Sequence, residues 1–174
     1  AARLRKLIDP ARATPATGIA PGRALGAEST ETTHYSIADR QGNVVSNTYT
    51  LNASFGSGIA VPGTGMLLNN EMGDFAALPG KPNQFGLVQG ERNRIEGGKR
   101  PLSSMSPTIV FRDGRPWLAT GSPGGSRIIT TVLQMMLNVF DYKMPVAAAV
   151  AAPRLHHQWL PDEVWVEPGL PPAV

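Results

Sequence analysis

Glu31-Thr32-Thr33-His34-Tyr35-Ser36 opens the first regular part of this chain, and the interpretation of the rest depends on it. β-Branched and aromatic residues favour strands, so the stretch taken alone predicts the start of a β-strand. A second interpretation is that the Glu31–Thr32 peptide bond is cut, which makes Thr32 an N-terminal residue. A threonine hydroxyl needs a base beside it to act as a nucleophile, and the residue's own free α-amine can be that base. That Thr32 is a nucleophile is therefore a hypothesis, which needs support from other parts of the sequence.

The residues that follow Thr32 predict a β-hairpin. Residues 33–38 alternate apolar and polar side chains, residues 39–43 contain a turn pattern, and Val44 to Leu51 form the returning strand. The hairpin would bring polar side chains of the second strand back towards Thr32. These are Thr48, Thr50 and Asn52.

Outside this hairpin the pattern predicts a mixed α+β fold with antiparallel sheets. Strands are expected at Met66-Leu67-Leu68, which should be buried, at Thr108–Phe111 and Trp117–Thr120, which form a second hairpin, and at Val164 to Val166. Helices are expected at Ala1–Asp9, Arg127–Asn138 and Pro145–Ala152. The remaining long segments are expected to be connections: Arg12–Ser29, and Phe75–Arg100, whose length is typical of a lid or binding loop.

Composition excludes several classes of function. The chain has 174 residues, 41% of them hydrophobic and 17% charged, which suits one globular domain. The net charge of +3 includes no long basic block, which disfavours nucleic-acid binding, and the absence of cysteine excludes disulfides and thiolate catalysis. The apolar segment Ile128–Phe140 is too short to span a membrane. Because residues 170–174 contain no terminating element, we expect a piece of a longer protein.

Gly124 and Gly125 lie between a predicted strand and a predicted helix. Their backbone N–H groups could approach a ligand closely and form an oxyanion hole. A phosphate loop is the rival site, but residues 121–127 lack the Gly-Lys-Ser/Thr ending that it needs. A tight turn into the helix is an equally good interpretation of the same residues.

Two further groups of polar residues are candidates for ligand binding. Glu71 and Asp74 could converge on an ammonium group, take part in acid–base chemistry or hold a metal, although no histidine lies nearby to favour a metal. Ser103 and Ser104 offer hydroxyl donors to a carboxylate. Solvated loop residues and a serine turn are the alternatives. We interpret the histidines as structural: His34, His156 and His157.

Five motifs in order make the chain resemble the γ-glutamyltransferase (γ-glutamyltranspeptidase) family from Thr32 to about Val166. They are Thr32-Thr33-His34-Tyr35-Ser36, Thr48-Tyr49-Thr50-Leu51-Asn52, Leu68-Asn69-Asn70-Glu71-Met72-Gly73-Asp74-Phe75, Lys99-Arg100-Pro101-Leu102-Ser103-Ser104-Met105-Ser106-Pro107 and Gly121-Ser122-Pro123-Gly124-Gly125-Ser126-Arg127.

The resemblance implies an N-terminal-nucleophile hydrolase with an αββα sandwich, incomplete in this chain. Residues 1–31 would be the end of a large subunit and its linker, and residues 32–174 a small catalytic subunit truncated at its C-terminus. The roles implied are Thr32 as nucleophile after self-cleavage, Thr50 as its hydrogen-bonding neighbour, Asn52, Glu71 and Asp74 at the α-amino group of the donor, Ser103 and Ser104 at its α-carboxylate, and Gly124 and Gly125 as the oxyanion hole.

The reaction implied is γ-glutamyl transfer from glutathione or a related amide to water, an amino acid or a peptide, without a cofactor or metal. Phe85 stands where relatives have a lid tyrosine, and a phenyl ring cannot donate the tyrosine's hydrogen bond. The large subunit would supply an arginine for the substrate carboxylate. Resemblance to bacterial relatives suggests a periplasmic or secreted protein. The alternatives are an acylase for a different γ-glutamyl-like amide and an unprocessed scaffold or ligand-binding module.

Overall fold

The computed structural model describes residues 11, 20–24 and 31–170, with the backbone alone described for 20–24. The strands are β1 (Ala20–Ala24), β2 (Thr32–Ala38), β3 (Val44–Thr50), β4 (Thr108–Arg112), β5 (Arg115–Thr120), β6 (Leu155–His156) and β7 (Glu163–Val166). The α-helices are α1 (Ile128–Phe140) and α2 (Val146–Ala151), and three 3₁₀ helices span Glu71–Asp74, Glu91–Asn93 and Gly125–Arg127. The predicted mixture of helices and strands is confirmed.

The predicted first hairpin is present, with β2 and β3 antiparallel. Its turn is closed by the side chain of Asp39, whose Oδ1 accepts hydrogen bonds from the N–H groups of Gln41 and Asn43 at 2.9 and 2.8 Å. The register sets Thr32 opposite Thr50. The hairpin therefore brings the second hydroxyl beside the first, as the sequence predicted.

Helix α1 packs one apolar face into the core. Buried residues recur at the helical spacing of three to four: Ile128, Val132, Met135 and Val139. The last two pack with Ala149 of α2 and with Leu118, Phe140 and Met144. Burying an apolar side chain of this size contributes roughly 1.5–3 kcal/mol. Because α1 directly follows the 3₁₀ helix Gly125–Arg127, this packing also fixes the position of Gly125.

The third sheet has the strand order β1-β7-β6, with β1 parallel and β6 antiparallel to β7. The prediction that Arg12–Ser29 contains only a connection is wrong at Ala20–Ala24, which forms β1. The residues Ala-Pro-Gly-Arg-Ala have no strand pattern, so their extended conformation depends on pairing with β7. The predicted helix at Ala1–Asp9 lies outside the described residues.

The predicted buried strand at Met66-Leu67-Leu68 is wrong. Met66 is 60% exposed, and Leu67 forms only an isolated antiparallel bridge with Ala60. The segment folds back on itself through the bonds from Val61 N to the Met66 carbonyl and from Leu68 N to the Ile59 carbonyl. It pairs within its own loop and joins none of the sheets formed by the described residues, so its apolar side chains stay exposed.

The other predicted elements shift by a few residues. Helix α1 ends at Phe140, two residues beyond the prediction, and α2 is one residue shorter than predicted at each end, with Pro145 as its N-cap. The Phe75–Arg100 connection contains the 3₁₀ helix Glu91–Asn93 and isolated bridges. In the described part of the chain, no helix has both the length and the apolar character needed to cross a membrane.

Candidate active site

Side chains from separate segments meet at one cavity of about 30 Å³. Seven of the nine predicted site residues line it: Thr32, Thr50, Asn52, Asp74, Ser103, Ser104 and Gly125. Phe85, Met105 and Ile128 complete the wall. Glu71, in the same 3₁₀ helix as Asp74, and Gly124, which precedes Gly125, do not line the cavity themselves. The volume holds about one or two water molecules, so a larger ligand requires part of the wall to move.

The hydroxyl of Thr50 is engaged on both sides at the Thr32 end of the cavity. Thr50 Oγ1 donates to the carbonyl oxygen of Glu31 at 3.0 Å and accepts from the N–H of Asn52 at 2.8 Å. The antiparallel register of β2 and β3 produces this contact. A hydrogen-bond donor on that carbonyl polarises the Glu31–Thr32 peptide bond. This is the bond at which the sequence predicts cleavage.

Asn52 is buried and held by the segment that precedes the acidic residues. It is 5% exposed, has φ of 77°, and donates from Nδ2 to the Asn70 carbonyl at 3.2 Å. The Asn70 side chain in turn accepts from Ala53 N at 2.9 Å. Sequence reasoning did not assign Asn70 a role, although it stands in the motif beside Glu71. Asn70 connects the end of the first hairpin to the 3₁₀ helix that carries Asp74.

Asp74 sits at the end of the 3₁₀ helix Glu71–Asp74. Partial burial, and secondarily the negative charge of Glu71, raise the pKa of Asp74 from 3.8 to about 6. A cation bound beside Asp74 would offset both effects, because an opposite charge favours the ionised carboxylate. Glu71 thus acts on the cavity through its charge on Asp74. The pair is suited to an ammonium group.

Asn93 joins the acidic segment to the serine segment. Its Nδ2 donates to the Asp74 carbonyl at 2.7 Å, and its Oδ1 accepts from Leu102 N at 3.0 Å. Ser103 follows directly, and its Oγ accepts from Met105 N at 3.2 Å. Asn93 stands in no recognisable pattern, so the sequence did not predict its role. Its side chain fixes the distance between the proposed amino-binding and carboxylate-binding groups.

The two glycines need backbone conformations that other residues rarely adopt. Gly124 has φ of 130° and Gly125 has φ of 58°. A Cβ added to Gly125 would lie 3.0 Å from Cδ1 and Cε1 of Phe85, so the phenyl ring packs directly against this backbone. Sequence analysis missed the wall residues Met105 and Ile128. Met105 stands inside the fourth motif and Ile128 directly follows the fifth, which is the signal that could have identified them.

The histidines make contacts that suit structural roles. His34 Nδ1 lies 2.7 Å from Thr48 Oγ1, and its ring covers Gly121 so closely that a Cβ there would be 2.2 Å from Nδ1. Burial lowers the pKa of His34. His157 pairs with Asp162 at 3.0 Å. Across the described residues, no group of three or more His, Asp or Glu side chains could hold a metal ion.

Comparison with known proteins identifies the family. A family model described as gamma-glutamyltranspeptidase matches residues 1–174. The chain is 59% identical over 165 residues to the glutathione hydrolase proenzyme of Escherichia coli (strain K12), covering 95% of this chain and 28% of that protein. The chain therefore spans less than a third of the length of this curated relative.

Solved structures show the same relationship. A crystal structure of a mutant gamma-glutamyltranspeptidase from Helicobacter pylori superposes with a TM-score of 0.78 at 61% identity, covering 82% of this chain and 77% of that chain. The transpeptidase enzyme CapD of Bacillus anthracis superposes with a TM-score of 0.57 at 28% identity, covering 81% of this chain and 69% of that chain. This chain belongs to the gamma-glutamyltranspeptidase family.

Proposed function

We propose that the protein transfers and hydrolyses γ-glutamyl groups of glutathione and related amides through an acyl-enzyme at Thr32. The observation that carries this proposal is the convergence of Thr32, Asp74, Ser103 and Gly125 on one cavity. A hydroxyl, a carboxylate, a second hydroxyl and a glycine backbone are the groups that a γ-glutamyl amide requires. The name of the Escherichia coli relative, glutathione hydrolase proenzyme, supports this substrate class and maturation from a precursor.

Maturation begins with attack of Thr32 Oγ on the carbonyl carbon of Glu31. The hydroxyl proton passes to the departing amide nitrogen as the peptide C–N bond breaks, which leaves an ester at Thr32 and a free α-amine. Water then hydrolyses the ester. The Thr50 hydroxyl, 3.0 Å from the Glu31 carbonyl oxygen, donates to the charge that develops on it.

Turnover uses the freed α-amine of Thr32 as the base. Thr32 Oγ attacks the γ-carbonyl carbon of the donor, its proton moves through the α-amine to the leaving nitrogen, and the C–N bond breaks. The amides of Gly124 and Gly125 stabilise the oxyanion. Water or the amine of an amino acid or peptide then attacks the ester and releases Thr32.

The two ends of the donor are held by opposite kinds of group. Asp74, with Glu71 and Asn52, takes the α-ammonium, and Ser103 and Ser104 donate to the α-carboxylate. An ammonium beside the carboxylates relieves the desolvation that raises the pKa of Asp74. The positive charge of the donor thus offsets the cost of keeping the Asp74 carboxylate partly buried.

The proposal also concerns the complete protein. Residues 1–31 end a large subunit, and residues 32–174 belong to the small subunit. The complete large and small subunits together form the αββα sandwich, which is incomplete in residues 1–174. The large subunit supplies an arginine for the donor carboxylate, which strengthens binding as a charge-assisted pair. By likeness to bacterial relatives, we place the protein in the periplasm or outside the cell.

The test is intact mass spectrometry of the full-length protein with Thr32→Ala and the matched control Thr33→Ala. We expect the wild type and Thr33→Ala to separate into two chains, the smaller beginning at Thr32. We expect Thr32→Ala to stay whole and to release no product from a γ-glutamyl anilide. Cleavage in Thr32→Ala would contradict the role of Thr32 in processing. A wild type that stays whole would contradict the proposal and favour an unprocessed scaffold or ligand-binding module.

A related acylase is the second candidate, because the groups that line the cavity could also serve another γ-glutamyl-like amide. Such an enzyme would share Thr32 chemistry but act on a different γ-glutamyl-like amide. Comparing kcat/KM for glutathione with that for γ-linked glutamyl peptides separates the candidates. A preference for glutathione supports the first candidate, and negligible turnover of glutathione with rapid turnover of the peptides supports the second.

A further inference from the structure

A glutamine outside the cavity connects the Phe85 segment to the core. Gln158 lies between β6 and β7, and its side chain is partly buried. Its Nε2 donates to the carbonyl oxygens of Phe85 at 3.4 Å and of Leu160 at 3.3 Å. On the other side its Oε1 lies 2.9 Å from Nε2 of His156. One amide group therefore bridges two segments that are distant in sequence.

The inner end of this bridge is held firmly. His156 is 3% exposed, its Nδ1 lies 2.7 Å from Thr130 Oγ1 on α1, and its ring centroid lies 5.6 Å from that of Trp165 on β7. With its two N–H groups facing carbonyls, Gln158 presents Oε1 to Nε2 of His156. The inner end of the bridge is therefore anchored on a buried ring.

The outer end is a turn that is already ordered by its own bonds. We call residues 83–87 the Phe85 turn. Asn83 Oδ1 accepts from Phe85 N at 2.9 Å and from Leu87 N at 3.0 Å, and Gly86 N donates to the Asn83 carbonyl at 2.9 Å. Because the turn holds its own shape, bonds from outside it decide where it sits. The Gln158–Phe85 bond is one of these.

The position of this turn determines access to the cavity. The Phe85 ring packs against Gly125, and with the ring in place the cavity measures about 30 Å³. Pockets that take small molecules are typically about 300–1,000 Å³. A γ-glutamyl donor therefore needs the Phe85 turn to move outward for entry and to return for closure.

We propose that Gln158 is a positioning residue of this site: it ties the Phe85 turn to His156 and so sets the stability of the closed pocket. The proposal rests on the proposed function for its kinetic consequence. Without the Gln158 bond the closed complex with donor is less stable, while Thr32 and Gly125 keep their own contacts. The change should therefore appear in KM more than in kcat.

The test uses the full-length, self-cleaved protein and three variants. Gln158→Met removes both halves of the bridge at similar volume. Gln158→Glu keeps an acceptor for His156 but replaces the donor to the Phe85 carbonyl with a carboxylate oxygen. Gln84→Met, at an exposed glutamine of the same turn, is the matched control. Amide hydrogen exchange of residues 83–88 is measured without ligand, and KM and kcat with a γ-glutamyl donor.

Both Gln158 variants should exchange about three- to tenfold faster in residues 83–88 and raise KM by about the same factor, which is the range of one hydrogen bond. We expect kcat to stay within about twofold, and Gln84→Met to match the wild type. Wild-type behaviour of Gln158→Glu would overturn the proposal, because this variant keeps the acceptor for His156 and lacks the N–H donors to the Phe85 and Leu160 carbonyls. A fall in kcat as large as the rise in KM, together with faster exchange throughout the protein, would also overturn it and indicate a general structural role. A wild type without turnover would refute the proposed function, and the exchange measurements would still decide the role of Gln158.

Discussion

The ionised carboxylate of Asp74 destabilises the unliganded protein and is the form that would bind the proposed ammonium group. Its pKa is raised from 3.8 to about 6, first by burial and then by the charge of Glu71. Between these two pH values the folded protein holds a proton that the unfolded chain releases, so stability falls as pH rises through this window. Above about pH 6 the folded protein carries the full loss of stability that comes from ionising Asp74. An ammonium group bound beside Asp74 would offset this loss of stability, because an opposite charge favours the ionised carboxylate.

Asp74→Asn should therefore stabilise the unliganded protein at about pH 7.5, by about 1 kcal/mol after allowing for solvent screening of a partly exposed carboxyl. The gain should disappear at about pH 3.5, where the carboxyl is protonated in both states. The same change should weaken donor binding strongly at neutral pH. Urea unfolding at the two pH values measures the first effect, with Asp141→Asn as the control because that carboxyl is exposed at the end of α1. A gain of equal size at both pH values would contradict this explanation.

At the scale of elements, the site depends on irregular segments that are joined by side chains. The 3₁₀ helix Glu71–Asp74 and the Ser103–Ser104 segment belong to none of the three sheets. Asn93 connects them through Asp74 and Leu102. Because 3₁₀ helices and loops supply few bonds of their own, such links set the distance between the two proposed ligand-binding segments. The Asn93 side chain is one link, and its carbonyl, which accepts from Ala76 N at 2.8 Å, is another.

Replacing Asn93 with leucine should raise KM for a γ-glutamyl donor by about three- to tenfold, because the partly buried Asp74 carbonyl and the Leu102 N–H lose their partner and the link between the two segments is lost. The matched control is Arg92→Ala at the neighbouring exposed position, which should leave KM unchanged. Steady-state kinetics with the full-length protein measures the effect, and thermal unfolding confirms that the variant folds. An unchanged KM in a folded Asn93→Leu variant would show that the bridge does not set the donor site.

At the scale of the molecule, much apolar surface among the described residues is not covered. The outward face of α1 carries Ile129, Leu133 and Leu137, each at least 40% exposed, and Phe111 beside the core is 60% exposed. Contiguous exposed apolar surface marks an interface. The chain spans 28% of the Escherichia coli relative, and the proposed large subunit would cover such faces.

Residues 1–174 alone should accordingly release no measurable γ-glutamyl product, whereas the full-length protein should. The physical reasons are the uncovered apolar faces and the absence of the arginine that we assign to the large subunit. Product release from a γ-glutamyl anilide measures the difference. Dye binding to exposed apolar surface should be higher for the piece than for the full-length protein. Turnover by the purified piece would contradict this prediction.

The sequence by itself determined the local elements and the identity of the candidate site. Both hairpins, α1 and the last strand follow from periodicity and turn residues, which act over a few positions along the chain. The motifs also identified seven residues that line the cavity. These residues carry the functional groups, so their types alone indicate the chemistry.

Tertiary structure decided what depends on contacts between distant segments. β1 has no strand pattern and exists through pairing with β7, and Met66 is exposed because its segment pairs with itself. Asn93 and Gln158 act through hydrogen bonds to backbone groups remote in sequence, and a backbone carbonyl carries no residue-specific signal. The sequence suffices to propose a nucleophile, whereas the bonds that shape the cavity beside Thr32 exist only where the folded chain brings the partners together.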